Sequence, residues 1–154
     1  MKTVILCGGL GTRLSEETVI KPKPMVEIGG YPILWHIMKR YFMHDVKDFY
    51  IALGYKGDYI KNYFINYKNK MSDFNIDFSS SKVNYINDFS EDWKVNLIDT
   101  GKNTMTGGRL LRLKSYLEKE EMFMLTYGDG VSNIDINKLA NFHKSHGKIG
   151  TMSV

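Results

Sequence analysis

An internal disulfide is excluded for this chain, because Cys7 is its single cysteine. One lone thiol suits a reducing compartment, so a cytoplasmic location is expected. No apolar run approaches the ~20 residues that a membrane-spanning helix needs. A secretory leader is not evident either, since strand-forming residues and a glycine loop stand where its apolar core would fall. The four histidines form no constellation. His36 and His44 stand apart. His143 and His146 lie three apart on a predicted helix with no third ligand nearby, and read as ordinary helix residues rather than a metal pair. Charge of one sign is also scarce. Lys and Arg number 21 against 17 Asp and Glu, a net charge of +4, and the basic residues are spread along the chain. That balance suits a phosphorylated small molecule and argues against a nucleic-acid surface. Repeats, low-complexity linkers and internal boundaries are lacking, so the 154 residues read as one domain.

What the chain does have is concentrated in its first twenty-five residues. Lys2-Thr3-Val4-Ile5-Leu6-Cys7 reads as a buried strand, ended by glycines. Gly8, Gly9 and Gly11 follow, and such a stretch can turn sharply and present its N–H groups to an anion. Arg13 adds a forked cation matched to phosphate oxygens. Two of the three prolines fall in Lys21-Pro22-Lys23-Pro24-Met25, holding the backbone extended so that a lysine is presented at a fixed place. The combination points to a polyphosphate site. It is not a P-loop, which would end in Gly-Lys-Ser/Thr. It is a poor dinucleotide fingerprint, since Leu14 stands where the third glycine belongs.

The stretch Gly8-Gly9-Leu10-Gly11-Thr12-Arg13-Leu14, followed by Pro22-Lys23-Pro24-Met25 and Gly30-Tyr31-Pro32-Ile33-Leu34, resembles the opening of the sugar-1-phosphate nucleotidyltransferases. The resemblance runs over the whole chain. Lys21 to Gly30 and Met105-Thr106-Gly107-Gly108-Arg109 resemble the cytidylyl branch of that family. Its members are considerably longer, and Lys148 to Val154 reads as a strand that stops without a turn. The expectation is therefore residues 1–154 as the nucleotide-binding part of a nucleotidyltransferase domain, truncated at its C-terminus.

Further along, periodicity predicts a helix after Pro32 with Ile33, Leu34, Ile37, Met38, Tyr41 and Phe42 on one face, leaving Trp35 and His36 half exposed. Lys47–Leu53 reads as a second strand, ended by Gly54. Asp58 is the expected cap of a helix carrying Ile60, Tyr63, Phe64 and Tyr67. Short strands follow at Asn75–Phe78, Lys82–Asn87 and Lys94–Asp99, with a solvated acidic loop at Asp88–Asp92. After a loop from Thr100 to Gly108 come a helix over Arg109–Leu117 and an apolar strand over Met122–Tyr127. The last helix spans Asp135–His146, with Leu139, Phe142 and His146 facing inward. This alternation gives an α/β fold, and the resemblance makes it a Rossmann-like nucleotidyltransferase fold, its sheet mainly parallel but mixed and flanked by helices.

In an open parallel sheet, ligands sit at the carboxyl ends of the strands. That rule gathers Gly8–Arg13, Gly101–Arg109 and Gly128–Gly130. Read locally, Asp129 is a turn residue or a ligand for Mg²⁺, and Arg109 is an exposed helix-start arginine or a base-reading one. Cys7 reads as a small core residue rather than a catalytic thiol. The resemblance implies more. Leu6, Cys7, Gly8, Gly9, Leu10 and Gly11 would hold the nucleotide through their backbone, and Thr12 and Arg13 its triphosphate. Lys23 would sit at the reaction centre. Thr104, Gly108 and Arg109 would border the base, and Gly128 and Asp129 would complete the site, with Asp129 on Mg²⁺. The implied reaction is CTP plus glucose 1-phosphate giving CDP-glucose and pyrophosphate, in a cytoplasmic enzyme that is a homo-oligomer at full length. Arg109 would disfavour uracil and thymine if it reached N3 of the base, and would not discriminate if it reached only O2. A second metal-binding aspartate and a glutamate–lysine segment for the sugar phosphate, both expected further downstream in the family, are not in this sequence. Three other readings stay open: a thymidylyl- or uridylyltransferase, an NAD-binding oxidoreductase domain with Glu27 on the ribose, and a non-catalytic nucleotide-binding module.

Overall fold

The computed structural model describes residues 1–9 and 21–153. Its centre is a four-stranded sheet built from β1 (Lys2–Cys7), β4 (Asp48–Leu53), β7 (Lys94–Asp99) and β8 (Met124–Tyr127), in the order β7-β4-β1-β8. All neighbours in it are parallel. Two antiparallel ribbons stand apart from it: β2 (Glu27–Ile28) with β3 (Tyr31–Pro32), and β5 (Ser72–Asp77) with β6 (Lys82–Asp88). The helices, in chain order, are α1 (Ile33–Phe42), α2 (Gly57–Ile65), α3 (Tyr67–Met71), α4 (Thr106–Arg112), α5 (Lys114–Leu117) and α6 (Ile136–His146).

The two inner strands are apolar over Val4–Cys7 and Phe49–Leu53 because both faces of the sheet are covered there. Ile5, Cys7, Phe49, Ile51 and Leu53 point to one face, where Leu34, Ile37, Met38 and Tyr41 of α1, Ile60 of α2 and Ile136 of α6 close over them. Val4, Leu6, Tyr50 and Ala52 point to the other, against Leu113 and Leu117. The aromatic residues extend the first face. Trp93 packs edge-on against Phe49, with ring centroids 6.1 Å apart, and stacks on Tyr67 at 5.6 Å. Trp35 Nε1 donates to the Tyr67 hydroxyl (2.7 Å), which in turn donates to Glu91, and Lys39 Nζ reaches the same carboxylate at 2.7 Å.

Several sequence expectations need correction. Glu91 is the exception in the Asp88–Asp92 stretch: Asp88 and Asp92 are exposed, but its own side chain is 7% exposed and holds Tyr67 and Lys39. Asp58 does not cap α2, whose N-cap is Lys56 in a left-handed conformation; Asp58 lies one residue inside the helix, 3.5 Å from Lys61 Nζ. The helix expected from Arg109 begins at Thr106 and is interrupted at Leu113, a turn residue with φ −91° and ψ 0°, and Leu113 and Leu117 both pack against the sheet. On α6, Ile136 and Ala140, one turn apart, face the core, while Phe142 falls on the solvent side at 61% exposure. Residues 148–153 form no strand, and Ile149 is fully exposed. Trp35 and His36 are half-buried, as the helical spacing predicts. No helix among the described residues is long and apolar enough to cross a membrane.

The inner layer makes a direct prediction. Phe49 is fully buried, so Phe49→Ala leaves a cavity beneath Trp93. The loss of unfolding free energy in urea denaturation should be about 3–5 kcal/mol.

Candidate active site

The register brings the strand ends into one row. Cys7 pairs with Leu53, Leu53 with Asp99, and Leu6 with Tyr127. The residues that follow, Gly8, Gly54, Thr100 and Gly128, therefore stand side by side at the carboxyl edge of the sheet, where α/β folds bind their ligands.

Arg109 enters this row from α4. It is 5% exposed, neither the surface arginine of the local reading nor free in solvent. Its Nη1 donates to Leu53 O (2.9 Å), Thr100 Oγ1 (2.7 Å) and Gly101 O (2.9 Å). Its Nη2 donates to Gly8 O (2.9 Å) and, at longer range, to Lys102 O (3.4 Å). Glycines make the seat possible. A Cβ on Gly8 would fall 2.1 Å from Arg109 Cζ, and one on Gly54 would fall 2.6 Å from Nη1 and 2.9 Å from the Gly8 Cα. No carboxylate pairs with Arg109 among the described residues. Burial, then the charge of Arg112, holds its pKa below the ordinary arginine value, with Asp99 opposing. An arginine stays protonated through such a shift, so the row carries a buried cation balanced by carbonyl dipoles.

The other end of the row is more open. Pro22, Pro24 and Met25 are buried and fix a single 3₁₀ turn, Lys23–Met25, in which Lys23 is half-buried. Lys23 Nζ lies 3.7 Å from Asp129 Oδ2, and the Asp129 side chain is 46% exposed. Gly128 is buried against β1. Its N–H donates to Leu6 O (3.0 Å), and a Cβ there would strike Cys7 Sγ at 2.5 Å. Cys7 is itself 2% exposed, and burial, then the Asp129 charge, pushes its thiol well up, with Arg109 opposing. A buried, protonated thiol is a packing residue.

The structure thus brings together Leu6, Cys7, Gly8, Lys23, Arg109, Gly128 and Asp129. Gly9 is exposed next to them. Thr104 and Gly108 lie on the α4 side, where a Cβ on Gly108 would meet the Thr104 methyl at 2.8 Å. Leu10, Gly11, Thr12 and Arg13 lie outside the described residues. Gly54 and Thr100 were not among the residues picked out from sequence. Their signal was the repeated pattern of an apolar strand followed by a small residue, as in Cys7-Gly8, Leu53-Gly54 and Tyr127-Gly128.

Asp129 suits a hard cation. It is a partly open carboxylate in only a loose pair, and no group of three or more metal-ligating side chains occurs among the described residues. A cation there would take its remaining oxygens from phosphates and water, as Mg²⁺ commonly does. Glu27 does not suit a ribose. It lies exposed in the β2–β3 ribbon, 3.6 Å from Lys21 Nζ, rather than at the end of the second parallel strand. His143 Nδ1 and His146 Nε2 both engage the Thr151 hydroxyl, at 2.9 and 2.7 Å.

The fold and this strand-end row are those of a nucleotide-handling α/β protein, and comparison with known proteins makes the class definite. Residues 2–154 match the family described as nucleotidyl transferase. The chain belongs to that family. It is 56% identical over 153 residues to the glucose-1-phosphate cytidylyltransferase of Salmonella typhimurium, covering 99% of this chain and 60% of the relative. It is 46% identical to a probable glucose-1-phosphate cytidylyltransferase of Bacillus subtilis, over 99% and 59%. The chain thus spans about three-fifths of the length of these relatives. Among solved structures it resembles HddC from Yersinia pseudotuberculosis, crystallised with GMP-PN, at 28% identity and a TM-score of 0.68 over 92% of this chain and 53% of that one. A UDP-glucose pyrophosphorylase crystallised with UDP-glucose shares the fold, with a TM-score of 0.66 at 16% identity over 95% and 54%.

The burial of Cys7 is testable. Native protein at pH 8 should leave the thiol unmodified by a chromogenic disulfide reagent. Full modification should appear only in denaturant. Rapid labelling of the folded chain would contradict the packing of Gly128 over Sγ.

Proposed function

We propose that this chain is the nucleotide-binding part of a cytidylyltransferase, which passes the cytidylyl group of CTP to glucose 1-phosphate and releases pyrophosphate. The observation that carries the phosphate chemistry is the meeting of Lys23 and Asp129, 3.7 Å apart, at the open end of the strand-end row. The choice of cytosine and of glucose rests on the 56% identical relative.

Both reactants are anions, so alignment and charge neutralisation are the main tasks. An oxygen of the sugar phosphate attacks the α-phosphorus in line. The new P–O bond forms as the bond to pyrophosphate breaks, and pyrophosphate leaves with the electron pair. No covalent enzyme intermediate is needed, which agrees with the inert Cys7. Lys23, fixed by its buried proline neighbours, stabilises charge on the α-phosphate. Asp129 is the residue that would hold Mg²⁺, whose charge would further neutralise the phosphates. Arg13 is assigned to the leaving pyrophosphate on the resemblance alone. Arg109 lies on the base side of the site, with Thr104 and Gly108 beside it. The full-length protein is expected to be a homo-oligomer in the cytoplasm. The location of Glu27 in a peripheral ribbon speaks against the oxidoreductase reading, and the relatives speak against a thymidylyl- or uridylyltransferase.

A thermal-shift panel with Mg²⁺ and CTP, UTP, dTTP, ATP or NAD tests this reading. CTP should raise stability most, by about 2.7 kcal/mol at a hundredfold excess over Kd. Lys23→Ala and Arg109→Ala should each weaken that shift. Preference for NAD would replace the reading with an oxidoreductase domain, and preference for UTP or dTTP would overturn the base assignment. CTP binding without pyrophosphate release in the full-length protein would make it a binding module.

A further inference from the structure

The two ends of the Arg109 guanidinium are held differently. Nη1 has three acceptors at 2.7–2.9 Å, in Thr100 Oγ1, Leu53 O and Gly101 O. Nη2 has one close acceptor, Gly8 O at 2.9 Å, and one distant, Lys102 O at 3.4 Å. A terminal guanidinium nitrogen carries two hydrogens. Those of Nη1 are committed. One hydrogen of Nη2 is held firmly and the other only by a stretched bond to an exposed loop residue. Of the four Nη hydrogens, that second one is the least firmly held.

Thr100 fixes this asymmetry. It is fully buried, and its hydroxyl has one hydrogen, which goes to Leu53 O at 2.6 Å. The oxygen lone pairs therefore face Arg109 Nη1, so the hydroxyl acts on the guanidinium only as an acceptor. Gly54 supplies the rest of the seat. Lacking a Cβ, it lets the guanidinium lie against the backbone, where a methyl group would sit 2.6 Å from Nη1 and 2.8 Å from Nη2.

We propose that Thr100 and Gly54 are positioning residues for base selection: they hold the Nη1 end of Arg109 so that Nη2 presents its loosely held hydrogen to a base acceptor. The inference rests on the site being a CTP site. A single fixed donor discriminates between pyrimidines only if its depth is constant, because cytosine accepts at N3 where uracil carries a hydrogen. Thr100→Val keeps the shape of the side chain but removes the shortest of the three acceptors of Nη1, leaving only Leu53 O and Gly101 O at 2.9 Å, so the guanidinium loses its depth stop. Thr100→Ser keeps the hydroxyl.

Titration calorimetry of this chain with CTP and with UTP, in Mg²⁺, tests the assignment. Thr100→Val should weaken CTP binding about tenfold while UTP binding changes less, so the preference for CTP shrinks. Thr100→Ser should keep both affinities within about twofold of the parent. Gly54→Ala should shrink the preference in the same way as Thr100→Val. A Thr100→Val chain that melts earlier but keeps the parent's preference would make Thr100 merely structural and overturn the proposal. A Thr100→Ser chain that fails like the valine variant would do the same. Should valine prevent folding, nitrogen NMR of the parent's arginine side chains decides. CTP should shift the Arg109 Nη2 signal and leave Nη1 in place, and equal movement of both would overturn the proposal. A parent chain with no preference for CTP would instead sink the nucleotide reading itself.

Discussion

A buried cation with no carboxylate partner among the described residues is the constraint on which the candidate site depends. Removing a guanidinium from water is costly unless its N–H groups find acceptors. Here the acceptors come from strand ends and from the loop after β7: Gly8 after β1, Leu53 at the end of β4, and Thr100, Gly101 and Lys102 after β7. One side chain thus ties three segments that are far apart in sequence. The glycines at 8 and 54 follow from the same requirement, since any side chain at either position would occupy the volume of the guanidinium. Thr100 follows from it as well, being a hydroxyl in a place where an apolar residue would otherwise pack.

The sheet supplies what the arginine cannot. β1, β4 and β7 run in parallel and in matched register, so their ends finish level. The two cores, with alternate residues of β1 and β4 on opposite faces, hold the strands at fixed spacing. A carbonyl displaced by one residue would put a side chain where a glycine now stands. Packing on both faces is therefore linked to the geometry at the edge, because a one-residue slip would exchange the residues of the two cores and displace the edge together.

Much of this was legible from sequence, for reasons that differ by element. The parallel strands were readable because burial on both faces produces continuous apolar runs such as Val4-Ile5-Leu6 and Phe49 to Leu53. The helix at Ile33–Phe42 was readable because its buried face repeats with helical spacing. Lys23 and Asp129 were legible as chemistry, and a resemblance put them in one site. Arg109 was legible as important but not as buried. Its partners, Gly8 and Leu53, lie 101 and 56 residues away, and nothing local distinguishes a buried arginine from a solvated one at a helix start. Glu91 was misread for the same reason, because an acidic run looks solvated until Tyr67 and Lys39 arrive from elsewhere. On α6, Phe142 is the more apolar residue, yet Ala140 faces the core. Hydropathy ranks side chains, whereas packing chooses by helical phase.

The two ends of the strand-end row differ in stiffness, and the difference suits their proposed roles. At the Arg109 end, short hydrogen bonds and close glycine contacts leave little freedom, as selection between similar bases requires. At the Lys23 and Asp129 end, the ion pair is long at 3.7 Å and the carboxylate is partly open. Loose pairing has a physical advantage there. A tight Lys23–Asp129 bridge would have to be broken before either group could meet phosphate or a cation, and the binding energy would be reduced by that amount. A pair held apart by the proline-fixed turn on one side and the Gly128 contact on the other keeps both charges near each other yet available. On the proposed reading, the rigid end would reject a base while the open end would accommodate charge that changes place during the reaction.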